Sequence, residues 1–266
     1  MPERPLLGIL GGMGPAATAA FYTQLVTRTP ATRDQDHLRV VMWADPTVPD
    51  RTAALTGVGP SVVPWLERGV RALQASGADV IVSPCNTAHV WLGPVAREQG
   101  VELLSIVDAT IERALEVGCS DAAVETGPIE AGPIEAGPIG VLATSATLGS
   151  GLYQQALAER DRAALLPEPP DQERLIEAIY QVKVGTTAAL ERAAAALAVV
   201  CDQLVASGAT TIISACTELS LVLPGERAVP IVDSTAALVQ AVLLRFYQSG
   251  TPGSGASGPG TPGPPS

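Results

Sequence analysis

The sequence predicts an α/β protein of two pseudo-symmetric halves, each a mainly parallel sheet flanked by helices, with a cleft between the halves. Three observations carry this. Gly77-Ala78-Asp79-Val80-Ile81-Val82-Ser83-Pro84-Cys85-Asn86-Thr87 aligns without a gap on Gly208-Ala209-Thr210-Thr211-Ile212-Ile213-Ser214-Ala215-Cys216-Thr217-Glu218, and Ile106-Val107-Asp108-Ala109-Thr110 echoes Ile231-Val232-Asp233-Ser234-Thr235. Segments such as Val80-Ile81-Val82 are apolar without alternation, as strands covered on both faces are. Strand-like and helix-like segments alternate along the chain, which calls for parallel strands and right-handed crossovers.

Leu6 to Leu10 reads as the first strand, followed by Gly11-Gly12-Met13-Gly14 and a helix that opens at Pro15, a favoured first helical position. Leu38 to Ala44 is the second strand, Val62 to Ser76 a helix, Asp79 to Ser83 the third strand and Val101 to Val107 the fourth. The second half restarts at Ile139-Gly140-Val141-Leu142-Ala143-Thr144, an echo of Leu7-Gly8-Ile9-Leu10-Gly11-Gly12. Helices are expected around Leu152–Arg160, Asp171–Lys183 and Thr187–Ser207. Strands follow at Thr211–Ser214 and Val229–Val232, then a closing helix from Thr235 to Tyr247.

These elements divide into a first lobe of residues 1–107 plus 234–248 and a second lobe of 108–233. The second carries a Gly-Pro-Ile-Glu-Ala repeat at 125–138, read as an exposed loop because every unit contains proline. The tail 249–266 contains only Gly, Pro, Ser, Thr and Ala, a composition expected to be disordered.

Of the 266 residues 47% are hydrophobic, enough for substantial cores, and no apolar run approaches the length of a membrane helix. A net charge of −11 without a basic run argues against nucleic acid and anionic membranes as partners. Four cysteines without a C-x-x-C pair, and an N-terminus without a secretion-signal pattern, lead to an expectation of reduced thiols in the cytoplasm. With two histidines and no Cys/His cluster, a structural zinc site is unsupported. The glycines at 8, 11, 12 and 14 do not have the dinucleotide-binding spacing.

In parallel sheets, ligands gather beyond the carboxyl ends of the strands, where Gly12, Cys85, Thr144 and Cys216 fall. Each cysteine occupies a strand-to-helix turn, where amide dipoles favour a thiolate. Cys119 and Cys201 read as small hydrophobes, and Asp108 and Asp233 as caps of the helices that follow. His89 is expected to be a neutral packing residue, while His37 carries no signal.

Gly8-Ile9-Leu10-Gly11-Gly12-Met13-Gly14-Pro15, Pro84-Cys85-Asn86-Thr87-Ala88-His89 and Ala215-Cys216-Thr217-Glu218 together resemble the three signatures of the aspartate/glutamate racemase superfamily. The resemblance runs from Leu6 to about Phe246 and is to the aspartate racemase branch, because glutamate racemases carry Asp-Ser-Gly and Cys-Thr-His at the first and third signatures. It implies cofactor-independent racemisation with Cys85 and Cys216 as catalytic residues. One thiolate removes the α-proton while a thiol on the opposite face delivers another, and donors around the α-carboxylate stabilise the carbanion. Gly12, Met13, Asn86, Thr87, Thr144, Thr217 and Glu218 are the expected substrate contacts. Arg51, in Pro49-Asp50-Arg51-Thr52, and Lys183, in Tyr180-Gln181-Val182-Lys183, lie in family-like stretches and would grip carboxylates. The Arg51 motif favours a small dicarboxylic amino acid, with no metal or cofactor, and the expected assembly is a homodimer.

Two other function classes remain open on the sequence. One keeps the fold but performs cis–trans isomerisation or decarboxylation of a small dicarboxylate. Retention of both cysteines argues against the decarboxylase. The other is a non-catalytic small-ligand binding module, which the intact motifs in both halves disfavour.

Overall fold

The computed structural model describes residues 4–120, 137–225 and 227–248; the repeat as far as residue 136 and the tail 249–266 lie outside the described residues. The first half runs β1 (Leu6–Gly11), α1 (Pro15–Arg28), β2 (Arg39–Ala44), α2 (Arg51–Leu55), α3 (Val63–Ala75), β3 (Val80–Val82), α4 (His89–Glu98), β4 (Glu102–Leu103) and α5 (Ile106–Ser120). The second runs β5 (Ile139–Leu142), α6 (Ser145–Gly149), α7 (Leu152–Ala158), β6 (Ala164–Leu165), α8 (Pro169–Val184), α9 (Thr187–Ala206), β7 (Thr211–Ser214), β8 (Ile231–Asp233) and α10 (Ser234–Leu243). All pairings are parallel, in the orders β2-β1-β3-β4 and β6-β5-β7-β8, so each sheet is wound in the same way.

Layering explains the unbroken apolar strands. Leu7, Ile9, Val80 and Val82 of the first sheet share one core cluster with Ile139, Val141, Ile213 and Val232 of the second. Ile106 and Ile111 of α5, Tyr153 of α7 and Leu238 and Val242 of α10 complete that cluster. The alternate residues point outward: Leu10 and Ile81 pack under α3 and α4, and Leu142 and Ile212 under α8 and α9. Both faces of each strand are therefore buried, and each fully buried Leu or Ile contributes about 1.5–3 kcal/mol.

The register corrects one of the two repeats. Ile81 pairs with Leu103, whereas its counterpart Ile212 pairs with Ile231. Leu103-Leu104-Ser105 is therefore the structural match of Ile231-Val232-Asp233, three residues before the stretch that echoes it in sequence. The fourth strand, expected over Val101–Val107, stops at Leu103, and Ile106 and Val107 already belong to α5. Asp108 is accordingly not the cap. Ser105 accepts from the Asp108 N–H at 3.2 Å, while Asp233 caps α10 as expected, accepting from Thr235 N–H at 3.0 Å.

Smaller departures have local causes. The last strand begins at Ile231 rather than Val229, after Pro230, which has no N–H for a ladder. The closing helix stops at Leu243 and continues as a π turn over Leu244–Gln248. The short elements α2, α6 and β6 are too brief to leave a periodic signature. Cys201 is buried in α9 as expected; the Cys119 side chain lies outside the described residues. Both ends of the described chain rest on one loop, because the Arg4 guanidinium donates to the Gln35 carbonyl and the Tyr247 hydroxyl to the Asp36 carbonyl at 2.7 Å.

Candidate active site

The carboxyl ends of β3 and β7 face a common cleft. It is lined by Met13, Asp50, Arg51, Thr52, Cys85, Asn86, Thr87, Thr144, Lys183, Ala215, Cys216, Thr217 and Glu218. Ten of the eleven residues expected at the site lie in that lining. Gly12 does not; it makes the turn that delivers Met13. Its φ of +93° suits glycine, and a Cβ there would come within 2.5 Å of the Asp45 backbone. Asp50, Thr52 and Ala215 were not expected. Asp50 could have been found as a helix cap beside Arg51, since its carboxylate accepts from Ala53 N–H at 2.8 Å.

The two cysteine turns are stitched to each other. The Thr217 hydroxyl donates to the Pro84 carbonyl at 3.2 Å, so the residue after Cys216 holds the residue before Cys85. On the first turn Thr87 Oγ1 lies 2.8 Å from Thr147 Oγ1 and 3.4 Å from Thr144 Oγ1, at the start of α6. Asn86 is held by residues of α7 and α10: Tyr153 donates to its Oδ1 at 2.6 Å, and its Nδ2 donates to Ser234 Oγ at 3.1 Å. About 30 Å³ of the cleft is open to water. At roughly 10–15 Å³ per molecule that is room for about two waters.

His89 supports the first turn. One ring nitrogen, Nδ1, is 2.9 Å from the Cys85 carbonyl, and Nε2 accepts from Ile106 N–H at 3.4 Å. That pattern assigns the neutral tautomer with its proton on Nδ1. Burial lowers its pKa to about 4, against the opposing effects of the Cys85 carbonyl and Asp108. The packing role expected for this residue fits that geometry.

The thiols depart from expectation. Cys85 and Cys216 are 6% and 4% exposed, and loss of solvation raises both pKa values instead of favouring thiolate. Around Cys85 the Arg51 charge and the Ala88 backbone N–H oppose the rise. Around Cys216 the Glu218 carboxylate adds to it, and the thiol donates to Glu218 Oε2 at 3.2 Å. Equivalent turns thus hold unequal thiols: Cys85 beside a cation, Cys216 as a donor to an anion.

Two cations line the cleft. Arg51 Nη1 donates to the Val48 and Pro49 carbonyls at 3.4 and 3.2 Å, and has no carboxylate partner among the described residues. The Lys183 ammonium lies 5.4 Å from the centre of the Tyr180 ring. The acidic groups Asp50 and Glu218 share the cleft with them.

Comparison with known proteins agrees with this architecture. The chain is 28% identical over 256 residues to the broad specificity amino-acid racemase RacX of Bacillus subtilis, covering 92% of this chain and all of the relative. Aspartate racemase of Picrophilus torridus superposes with a TM-score of 0.71 at 28% identity, over 91% of this chain and 93% of that one. An aspartate racemase homologue from Pyrococcus horikoshii has a TM-score of 0.66 over 90% of this chain and 97% of that one; at 21% identity it speaks to the fold alone. Residues 10–242 match the family described as Asp/Glu/Hydantoin racemase, and this chain belongs to that family of isomerases.

Proposed function

We propose that the protein is a cofactor-independent aspartate racemase in which Cys85 and Cys216 exchange protons with opposite faces of the α-carbon. The observation that carries this reading is the meeting of both thiols, from equivalent strand ends, in one cleft that also holds Arg51 and Lys183. An α-proton is too weakly acidic to be removed by an isolated thiol, so the groups around the thiols have to share the task.

The unequal surroundings suggest a division of labour. Arg51 favours ionisation of Cys85, the group that starts as base; Cys216 starts protonated, in contact with Glu218, as the acid. In the reverse direction the roles exchange, and Glu218 is placed to receive the Cys216 proton. Asn86, Thr87 and Thr144 supply donors for the α-carboxylate as it gains enolate character, whereas the Thr217 hydroxyl is engaged by the Pro84 carbonyl. Arg51 and Lys183 supply positive charge for the second carboxylate of aspartate, and either Asp50 or Glu218 can face the ammonium group.

The experiment is incubation with L-aspartate in deuterated water without pyridoxal phosphate. Loss of optical rotation together with α-deuterium is the expected result; retention of both rotation and protium overturns the reading. The likeness to RacX favours a second reading, a racemase of wider range. Comparing aspartate with alanine, serine and glutamate under the same conditions separates the two.

A further inference from the structure

We propose that Tyr153 is a positioning residue: it holds the Asn86 amide so that one of its N–H bonds is kept for the substrate carboxylate. This rests on the racemase reading for its catalytic consequence, although the geometry stands by itself. Tyr153 belongs to α7 in the second half, is completely buried, and does not line the cleft. Its hydroxyl nevertheless reaches Asn86 of the first half at 2.6 Å, next to Cys85.

Counting hydrogen-bonding groups makes the argument. A side-chain amide has one oxygen and two N–H bonds. Here the oxygen accepts from Tyr153, one N–H donates to Ser234, and Asn86 is 3% exposed and lines the cleft. One N–H is left over. If the amide were turned over, with the nitrogen on Tyr153 and the oxygen on Ser234, one N–H would still be left over. The two clamps fix the plane of the amide, and of the one N–H and one oxygen lone pair then unused, the N–H is the group that a carboxylate in the cleft would engage. Without the Tyr153 hydroxyl a single bond to Ser234 remains. The amide can then rotate and present its oxygen to a carboxylate, which repels it.

Tyr153→Phe removes the hydroxyl and retains the ring. Loss of one donor that acts on developing negative charge costs about a hundredfold in kcat, and loss of its orientation a share of that. The expectation for Tyr153→Phe is therefore a fall of about tenfold or more in kcat for aspartate with little change in KM. In an Asn86→Ala background the same substitution should cost almost nothing more, because the residue it acts through has gone. Ser234→Ala removes the other clamp and should behave in the same way, which keeps the test open if the Phe variant folds poorly. Wild-type kcat in the variants, or an equal loss with and without Asn86, overturns the proposal.

The side-chain amide resonances of Asn86, identified by their disappearance in Asn86→Ala, give a readout independent of activity. They should shift and lose protection in Tyr153→Phe, and an unchanged pair overturns the positioning. If the wild-type protein exchanges no α-proton, the racemase reading fails while this spectrum still decides about Tyr153.

Discussion

Cys85 and Cys216 occupy matching turns but different electrostatic surroundings, and several predictions belong at this scale. Replacing either with serine should lower racemisation by about a thousandfold or more, because an alcohol is a far weaker base near neutral pH; racemisation by both serine variants would end the two-thiol mechanism. In the ligand-free protein, alkylation should reach Cys85 before Cys216 and accelerate with pH, since burial keeps both thiols protonated and Arg51 relieves only the first. Mass spectrometry of partially labelled protein gives the order. Arg51→Ala or Lys183→Ala should depress kcat/KM for aspartate by about a hundredfold, the scale of an uncompensated charge in a desolvated site. Alanine or serine as substrate should suffer less if the lost cation holds the side-chain carboxylate.

His89 makes a separate claim about pH. The unfolded chain takes up a proton on this side chain near pH 6.5, whereas the folded protein keeps it neutral down to about pH 4. Stability that is complete above pH 6.5 should decline as the pH falls through that window, by about 3 kcal/mol from this residue. His89→Gln should flatten the decline in a denaturant series measured between pH 7 and pH 4; an unchanged slope places the titrating group elsewhere.

At the level of elements, the sequence was most informative where a residue type forces a geometry. Pro15 opens α1 and Gly77 and Gly208 precede equivalent strands, so the sheets and the cysteine turns could be read with little error. The cation-bearing segments were legible only through resemblance, because nothing in a lone Arg51 or Lys183 separates a cleft residue from a solvated one. Pairing of Asp108 with Asp233 misled for a physical reason: three residues of identical type recur at the strand–helix junction, but hydrogen-bond register, invisible in sequence, sets the match at Ser105. Asp233→Ala should therefore cost about 0.5–2 kcal/mol as a lost cap. Asp108→Ala should cost less than about 0.5 kcal/mol, as it loses an exposed ion pair with Arg160. Chemical denaturation of both variants, with Ser105→Ala alongside, distinguishes the structural register from the sequence echo. The thiol environment was equally hidden, because it depends on how deeply the closed cleft buries both side chains.

On the scale of the whole molecule, the central cluster ties the two sheets into one cooperative body. Leu7 and Ile9 of one sheet and Val141 and Ile213 of the other share α5 and α10, so the two halves, each with a smaller cluster of its own, are joined through a common one. Thermal unfolding should show a single transition by calorimetry with equal calorimetric and van't Hoff enthalpies. Two resolved transitions would mean that the two lobes unfold separately.

The anchoring of Arg4 and Tyr247 on the adjoining residues Gln35 and Asp36 has a further consequence for the order of the chain. With Arg4 and Tyr247 held at one loop, a short linker in place of the residues beyond the described chain can join its two ends, and the polypeptide can be reopened between α5 and β5. A circular permutant made this way begins with β5 and finishes with α5, so the half that was synthesised second emerges first. Closely spaced ends are a condition under which permutation is tolerated. The permuted protein should keep the cleft and its activity, and the connectivity of the two halves is then a matter of gene order rather than of fold.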